Sequence, residues 1–245
     1  MSSGLFNSKP LHISQADSFE IEIEKFFSMF GFERDKWSFI GSIGKKEFST
    51  DVDIAVLFND LDWWEQTFEK FDFPFKVCKG FNQISFGYPF EGQTVQVDLM
   101  LTRSLEWSKF IYYSPKLSAG ESEFKGIYRN LLLSSLIITE SRDQHQNGDI
   151  GQYILRLDQG LFWVVKSFMD ENGNLTKKSR IIEEKFITND PQNLALMFGL
   201  LEPIMTFEQL WNQTKNRVQV KKIKERFEKF CKQSKLEIPN YALVN

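Results

Sequence analysis

The chain has 245 residues, of which 42% are hydrophobic and 26% charged, and its formal net charge at pH 7 is −3. This composition is typical of a folded globular protein with one large domain or two small ones, and it excludes a wholly disordered or collagen-like chain. The longest mainly apolar stretch, residues 131–138, is interrupted by Ser134 and Ser135 and is far shorter than the ~20 residues of a membrane span. No membrane partner is therefore expected.

Cysteines and histidines are few and widely separated. Cys78 lies far from Cys231, and His12 far from His145, so neither a disulfide framework nor a tetrahedral zinc site is expected. The N-terminus lacks the basic start and the apolar run of a secretory signal. We therefore expect a cytoplasmic protein.

The first part of the chain is predicted to alternate helices and short strands. Apolar spacing predicts helices over residues 14–29 and 60–71. Short apolar runs bounded by turn residues predict strands. These strands cover residues 37–40, 51–58, 75–77, 83–86 and 94–101.

Beyond Leu101 the pattern changes to longer apolar segments typical of helices. Helices are predicted over residues 121–139 and 153–169, from Pro191 toward Leu201, after a cap at Thr206, and over residues 215–234, with a loop at 169–174. We therefore predict an α+β protein with a strand-rich domain over residues 1–110 and a helix-rich domain over residues 111–245.

Three aspartates lie on predicted strands. Asp51 and Asp53 are two residues apart, so a strand projects both carboxylates from one face while Val52 and Ile54 enter the core. Asp98 likewise lies opposite the apolar side chains of its own strand. If the two strands are neighbours in register, three carboxylates meet on one face. A structural hydrogen-bond acceptor is the alternative role for Asp98.

Clustered carboxylates repel one another, and this repulsion raises the pKa of at least one of them unless a cation is bound. Oxygen ligands suit Mg²⁺ or Mn²⁺, especially when substrate phosphates complete the coordination. Two ions about 3.5–4 Å apart can activate an attacking hydroxyl and stabilise a pyrophosphate leaving group. The pattern therefore predicts that Asp51, Asp53 and Asp98 are catalytic and bind Mg²⁺ or Mn²⁺, with two ions.

A Gly-Ser pair follows the predicted strand that precedes Asp51. Gly41 permits close backbone approach, and Ser42 and the amides of the turn offer hydrogen bonds to a phosphate. Lys45 and Lys46 lie on the connecting segment, where they either neutralise a triphosphate or are solvated loop charges. Gly41, Ser42, Lys45 and Lys46 are therefore the candidate nucleotide-binding residues.

The segments Phe39-Ile40-Gly41-Ser42, Asp51-Val52-Asp53-Ile54 and Val97-Asp98-Leu99 together resemble the polymerase-beta-like nucleotidyltransferase superfamily. The resemblance covers roughly residues 37–101. It implies a small mixed-sheet palm and Mg²⁺-dependent transfer of a nucleoside monophosphate from an NTP. It further implies that Asp51 and Asp53 hold both metals, that Asp98 holds the catalytic metal and helps to activate the acceptor hydroxyl, and that Gly41 and Ser42 cradle the triphosphate.

The segment after Asp98 is loosely similar to the nucleotide-binding region of family X DNA polymerases. The residues that carry this similarity are Phe110, Tyr112, Tyr113, Phe124 and Arg129. The similarity implies that this segment contributes to nucleotide binding.

Positive charge is concentrated near the C-terminus. Nine basic residues against Glu225 and Glu228 give a net charge of +7 between Lys215 and Lys235. A polyanion such as a nucleic acid would bind here. The alternative is a solvated helix face whose lysine stems cover apolar surface.

The sequence therefore predicts a nucleotidyltransferase that uses an NTP and an acceptor hydroxyl. A nucleic-acid 3′ end is the acceptor that the basic segment favours. A small molecule, a tRNA, or a protein target of a toxin-type transferase is the alternative that the overall acidity favours. A non-catalytic nucleotide-binding module is the alternative outside the enzyme class.

Overall fold

The structure is a computed structural model that describes residues 5–57, 60–71, 73–79, 82–116, 122, 124–145, 148–170, 174–203 and 206–241. The described residues form a mixed α+β protein. They divide into two compact units, Met1–Glu123 and Phe124–Asn245. We predicted the boundary along the chain after residue 110. No described helix is long and apolar enough to cross a membrane.

The described part of the first unit contains a sheet with the strand order β2-β4-β7-β6-β5, here called the mixed sheet. Strands β4 and β7 are parallel, and the other neighbouring pairs are antiparallel. A separate two-stranded sheet pairs β1 with β3. The bounds are β1 Leu11–His12, α1 Ala16–Met29, β2 Trp37–Phe39, β3 Phe48–Ser49, β4 Val52–Val56, α2 Leu61–Lys70, β5 Phe75–Cys78, β6 Gln83–Phe90, β7 Gln93–Leu101 and α3 Leu105–Ile111.

The predicted elements of the first unit are found with shifted ends. Asp60 caps α2 by accepting a hydrogen bond from the Trp63 amide at 2.9 Å. Strand β6 continues to Phe90, beyond the predicted end, because Glu91 and Gly92 form a tight hairpin turn with φ of 47° and 73°. Phe58, the last residue of the predicted second strand, lies outside the described residues.

An aromatic core occupies one face of the mixed sheet. Phe86 on β6 stacks on Phe26 of α1 with ring centroids 5.4 Å apart, and packs at a tilt against Phe68 of α2 with centroids 4.6 Å apart. The apolar side chains of β4 and β7, such as Ile54 and Val97, are fully buried in the same cluster. Each buried side chain of this size contributes roughly 1.5–3 kcal/mol. Because strand side chains alternate, the polar residues of β4 and β7 must lie on the opposite face.

The second unit combines helices with an antiparallel sheet. Its described strands have the order β11-β10-β9-β8. Helices α4 and α7 pack against each other, and α4 also packs against α6 and β9. The bounds are α4 Gly126–Ser141, β8 Asp143–Gln144, β9 Ile150–Arg156, β10 Gly160–Met169, β11 Leu175–Thr188, α5 Pro191–Met197, α6 Phe207–Thr214 and α7 Val220–Gln233.

The predicted helix over residues 153–169 is wrong, because this segment forms β9 and β10 with a tight turn between them. Aromatic and β-branched residues such as Trp163, Val164 and Val165 favour strands. Gly160 begins β10 with a φ of 129°, at a position where a side chain would overlap the carbonyl oxygen of Thr188. The second unit is therefore mixed, and not simply helix-rich as predicted.

The other predicted helices of the second unit are found. Pro191 lies in the first turn of α5, and the Thr206 hydroxyl caps α6 by accepting a hydrogen bond from the Gln209 amide at 3.3 Å. The basic helix is α7, which is shorter at its start than the predicted range 215–234. Glu121 of the predicted first helix, and residues 171–173 of the predicted loop, lie outside the described residues.

Candidate active site

Asp53 and Asp98 are direct neighbours in the mixed sheet. They are register partners in the parallel pair formed by β4 and β7. Partners in adjacent strands project their side chains from the same face. Asp51 immediately precedes β4, and its charge raises the pKa of both other carboxyl groups. Asp53 and Asp98 are therefore close together at one face of the sheet, and the charge of Asp51 acts on both of them.

The environment of Asp53 opposes a negative charge. Burial raises the pKa of Asp53 to about 7, and the charges of Asp51 and Asp98 act in the same direction. The charge of Lys46 lowers the pKa of Asp53, but its effect is smaller than the other three. At neutral pH this carboxyl group is therefore stabilised by a proton or by a cation.

Asp98 is held by polar side chains of its own strand and of β6. Gln96 Nε2 donates a hydrogen bond to Asp98 Oδ1 at 3.1 Å, and the side chains of Ser85 and Gln83 also bond to this carboxylate. Burial raises the pKa of Asp98, whereas these hydrogen bonds lower it. Sequence reasoning missed this network, although the alternation of Gln83 with Ser85, and of Gln96 with Asp98, places each pair on one face.

The donor set suits a hard cation that keeps water or substrate ligands. Among the described residues, no group of three or more His, Cys, Asp and Glu side chains is arranged to hold a metal ion. Mg²⁺ in proteins commonly uses one or two carboxylates and takes its other ligands from water and substrate phosphates. The desolvated carboxyl group of Asp53 beside Asp98 fits that mode of binding.

Gly41 lies directly against the Asp53 carboxylate. It follows β2, its φ is 70°, and its amide donates a hydrogen bond to the Tyr112 carbonyl at 3.1 Å. A Cβ atom at this position would overlap Asp53 Oδ2. The Ile40 amide donates to the Asp53 carbonyl at 3.0 Å, which fixes the turn to β4. The sequence motif therefore has a steric reason, since only glycine fits here.

The residues that follow Gly41 form a turn beside the carboxylates. The Lys45 amide donates to the Ser42 carbonyl at 3.0 Å, and both side chains are partly exposed. Lys45 Nζ lies 5.2 Å from the centre of the Tyr113 ring, while Lys46 is the lysine whose charge acts on Asp53. Of the two lysines proposed from the sequence, Lys46 thus has the more direct relation to the carboxylates.

The residues loosely similar to family X polymerases are divided between the two units, with Phe124 and Arg129 in the second. Phe110 and Arg129 are almost completely buried, and Phe124 packs against Phe207 with centroids 4.8 Å apart. Tyr113 differs from these three, because its backbone forms a parallel bridge with Gly41 and its ring lies by Lys45. Tyr112, whose carbonyl accepts a hydrogen bond from the Gly41 amide, and Tyr113 are therefore the members of this set that adjoin the candidate site.

The basic segment separates into structural and exposed residues. Arg217 forms an ion pair with Glu140 at 2.7 Å and donates to the Phe198 carbonyl, so it holds the unit together. Phe227 is completely buried and is a core residue. The exposed lysines of α7 are Lys221, Lys222, Lys229 and Lys232. At 100° per residue these four lysines lie opposite the buried side chains of the helix.

The chain matches no protein-family model, and no curated protein matches it. A fold of this kind supports many activities, so the fold by itself assigns none. The function of the site is therefore inferred from the chemistry of its own residues.

We predict that Gly41→Ala destabilises the protein more than Gly92→Ala does. The φ angles of Gly41 and Gly92 are 70° and 73°, and an alanine with such a φ loses about 1–2 kcal/mol of stability at either position. At Gly92 no atom lies within 4 Å of an added Cβ. At Gly41 the overlap with Asp53 adds about 1–3 kcal/mol. Urea denaturation measures both losses. If the overlap is the cause, the excess loss disappears in an Asp53→Ala background, and an unchanged excess there would contradict this geometry.

We also predict an inverted pH dependence of stability from Asp53. Its folded-state pKa of about 7 lies above the unfolded value of about 3.9, so the folded state binds more protons between these values. The free energy of unfolding therefore falls as the pH rises from about 4 to about 7. Asp53→Asn should flatten this fall in urea denaturation without added metal, whereas the exposed control Asp35→Asn should not. Parallel curves for wild type and Asp53→Asn would refute the prediction.

Proposed function

We propose that this protein is a nucleotidyltransferase that uses Mg²⁺ or Mn²⁺, with the mixed sheet as its palm. It transfers a nucleoside monophosphate from an NTP to an acceptor hydroxyl. The observation that supports this proposal most is the register pair of Asp53 and Asp98 with the Gly41 turn packed against it. Burial and mutual repulsion destabilise the charged carboxylates of this pair, and a bound cation with a triphosphate would offset that destabilisation.

The residues of the site have distinct roles in this reaction. Asp51, Asp53 and Asp98 would hold the ions, which when bound neutralise the triphosphate and the attacking oxygen. The Ser42 hydroxyl, Lys45 and Lys46 bind the triphosphate, and Gly41, whose amide is bonded to the Tyr112 carbonyl, lets the backbone approach it closely. Their contribution is to place the α-phosphate in line with the acceptor hydroxyl.

The reaction is a substitution at the α-phosphorus. A bond forms between the acceptor oxygen and the α-phosphorus, and the bond to the oxygen that bridges the α- and β-phosphates breaks. Pyrophosphate leaves with that oxygen. The proton of the acceptor hydroxyl passes to the carboxylate of Asp98, which the donors Gln96 and Ser85 hold in place.

A nucleic-acid 3′ end is the acceptor that the structure favours. The support is the row of exposed lysines on α7, in a chain that is acidic as a whole. A small-molecule or protein acceptor would not require that row, whereas a tRNA, which is also a polyanion, would use it. A panel of these acceptors with labelled NTPs distinguishes the classes.

The surroundings of Asp98 favour a second candidate function, a non-catalytic nucleotide-binding module. The Asp98 carboxylate already accepts a hydrogen bond from Gln96 Nε2 at 3.1 Å, and Ser85 and Gln83 lower its pKa by hydrogen bonding, so fewer of its lone pairs remain for a metal ion. A module would bind an NTP with Mg²⁺ in isothermal titration and release it unchanged. An enzyme would bind and turn over.

We predict that label passes from an α-labelled NTP to an acceptor in the presence of Mg²⁺. Asp53→Ala and Asp98→Ala should each lower the rate on the order of 10²–10³-fold, since each removes charge stabilisation of the transition state. The matched control is Asp35→Ala, which removes an exposed carboxylate that pairs with Lys36. Equal rates for wild type and Asp53→Ala would remove the enzymatic proposal.

A further inference from the structure

Two arginines lie near the C-terminal end of α4, close enough for the charge of one to act on the other. Arg142 is the residue that follows α4, and it is exposed. Arg226 lies in the middle of α7, and its Nε donates a hydrogen bond to Thr139 Oγ1 at 3.1 Å. Thr139 is buried in the last turn of α4. The Arg226 guanidinium is therefore anchored on Thr139, which precedes Arg142 by three residues in the chain.

No carboxylate of the described chain neutralises this pair of arginines by an ion pair within 4.0 Å. Burial lowers the pKa of Arg226, and the positive charge of Arg142 acts in the same direction. The terminal carbonyl groups of α4 carry partial negative charge that stabilises nearby positive charge. Two guanidinium groups that repel each other without an acidic partner are stabilised further by an anion.

Further lysines surround the arginine pair on α7. Lys222 and Lys229 are four residues before and three residues after Arg226, which makes them its neighbours on the helix surface. The adjacent acids are Asp143 and Glu225, which are exposed, and Glu140, which is already paired with Arg217. The local balance is therefore positive, although the chain as a whole is negative.

We propose that Arg142 and Arg226, with Lys222 and Lys229, form a phosphate-binding site for the backbone of a nucleic-acid strand. A guanidinium group presents paired donors that match phosphate oxygens. The lysines from Lys221 to Lys232 extend along α7 for about 16 Å, which is longer than one phosphate group and suits several successive phosphates. This inference rests on the proposed function, since it names the acceptor class and the surface that binds it.

The test measures binding of a labelled single-stranded oligonucleotide by fluorescence anisotropy, in EDTA and without NTP. R142Q/R226Q should raise the Kd about 10-fold or more and lower the slope of log K against log salt by about 1–2. R142K/R226K keeps the charge but loses the paired donors, so its affinity should be intermediate. Because Arg226 is partly buried, Arg142→Gln alone, at an exposed position, should show the same direction of change in a folded protein.

The matched control is K177Q/K178Q, which removes the same charge from two exposed lysines of β11 in the same unit. An equal loss of affinity in this control, or unchanged binding by R142Q/R226Q and Arg142→Gln, would overturn the site. Inorganic phosphate that binds as tightly as the oligonucleotide in isothermal titration would overturn its assignment to a nucleic acid.

Failure of this site is distinguishable from failure of the proposed activity. Asp53→Ala should leave oligonucleotide binding unchanged, because the assay contains neither metal nor NTP. Oligonucleotide binding without label transfer would refute the proposed enzymatic activity and leave the proposed phosphate-binding site standing. If R142Q/R226Q changes neither label transfer nor oligonucleotide binding, the phosphate-binding site is refuted and the enzymatic activity stands.

Discussion

The parallel pairing of β4 with β7 forces the carboxylates of Asp53 and Asp98 together, and the candidate site is organised around this repulsive contact. The pairing is fixed from the other side of the sheet, where Ile54 and Val97 enter an aromatic core. A slip of one residue in either strand would bury an aspartate in that core and expose an apolar residue. Core packing thus holds the carboxylates in an arrangement that they would not adopt by themselves.

Alternation along the strands explains why much of the first unit could be predicted from the sequence. The runs at β4 and β7 are short, have turn residues near them, and separate apolar from polar positions cleanly. The same reasoning failed at residues 153–169, where the apolar residues fit either structure and length favoured a helix. The residues that indicate strands there are local, because the φ of 129° at Gly160 and the turn before it are incompatible with a continuous helix.

Sequence reasoning identified the acidic residues of the site but not their partners. Asp51, Asp53 and Gly41 are close in the chain and carry a recognisable spacing, whereas the contact of Gly41 with Asp53 depends on the pairing of β2 with β4. The hydrogen bonds from Gln83 and Ser85 to Asp98 need the register of β6. Such contacts between distant segments have no signature in one sequence, and neither does the effect of the Arg142 charge on Arg226.

We propose that hard cations relieve the repulsion between these aspartates. A crystal structure of the protein grown with Mn²⁺ and an NTP analogue that resists transfer would test this, since the anomalous signal of Mn²⁺ locates each ion. We expect Mn²⁺ at Asp51, Asp53 and Asp98 beside the triphosphate, with the Gly41 turn against the phosphates. A triphosphate bound elsewhere, or Mn²⁺ absent from these carboxylates at saturating concentration, would contradict it.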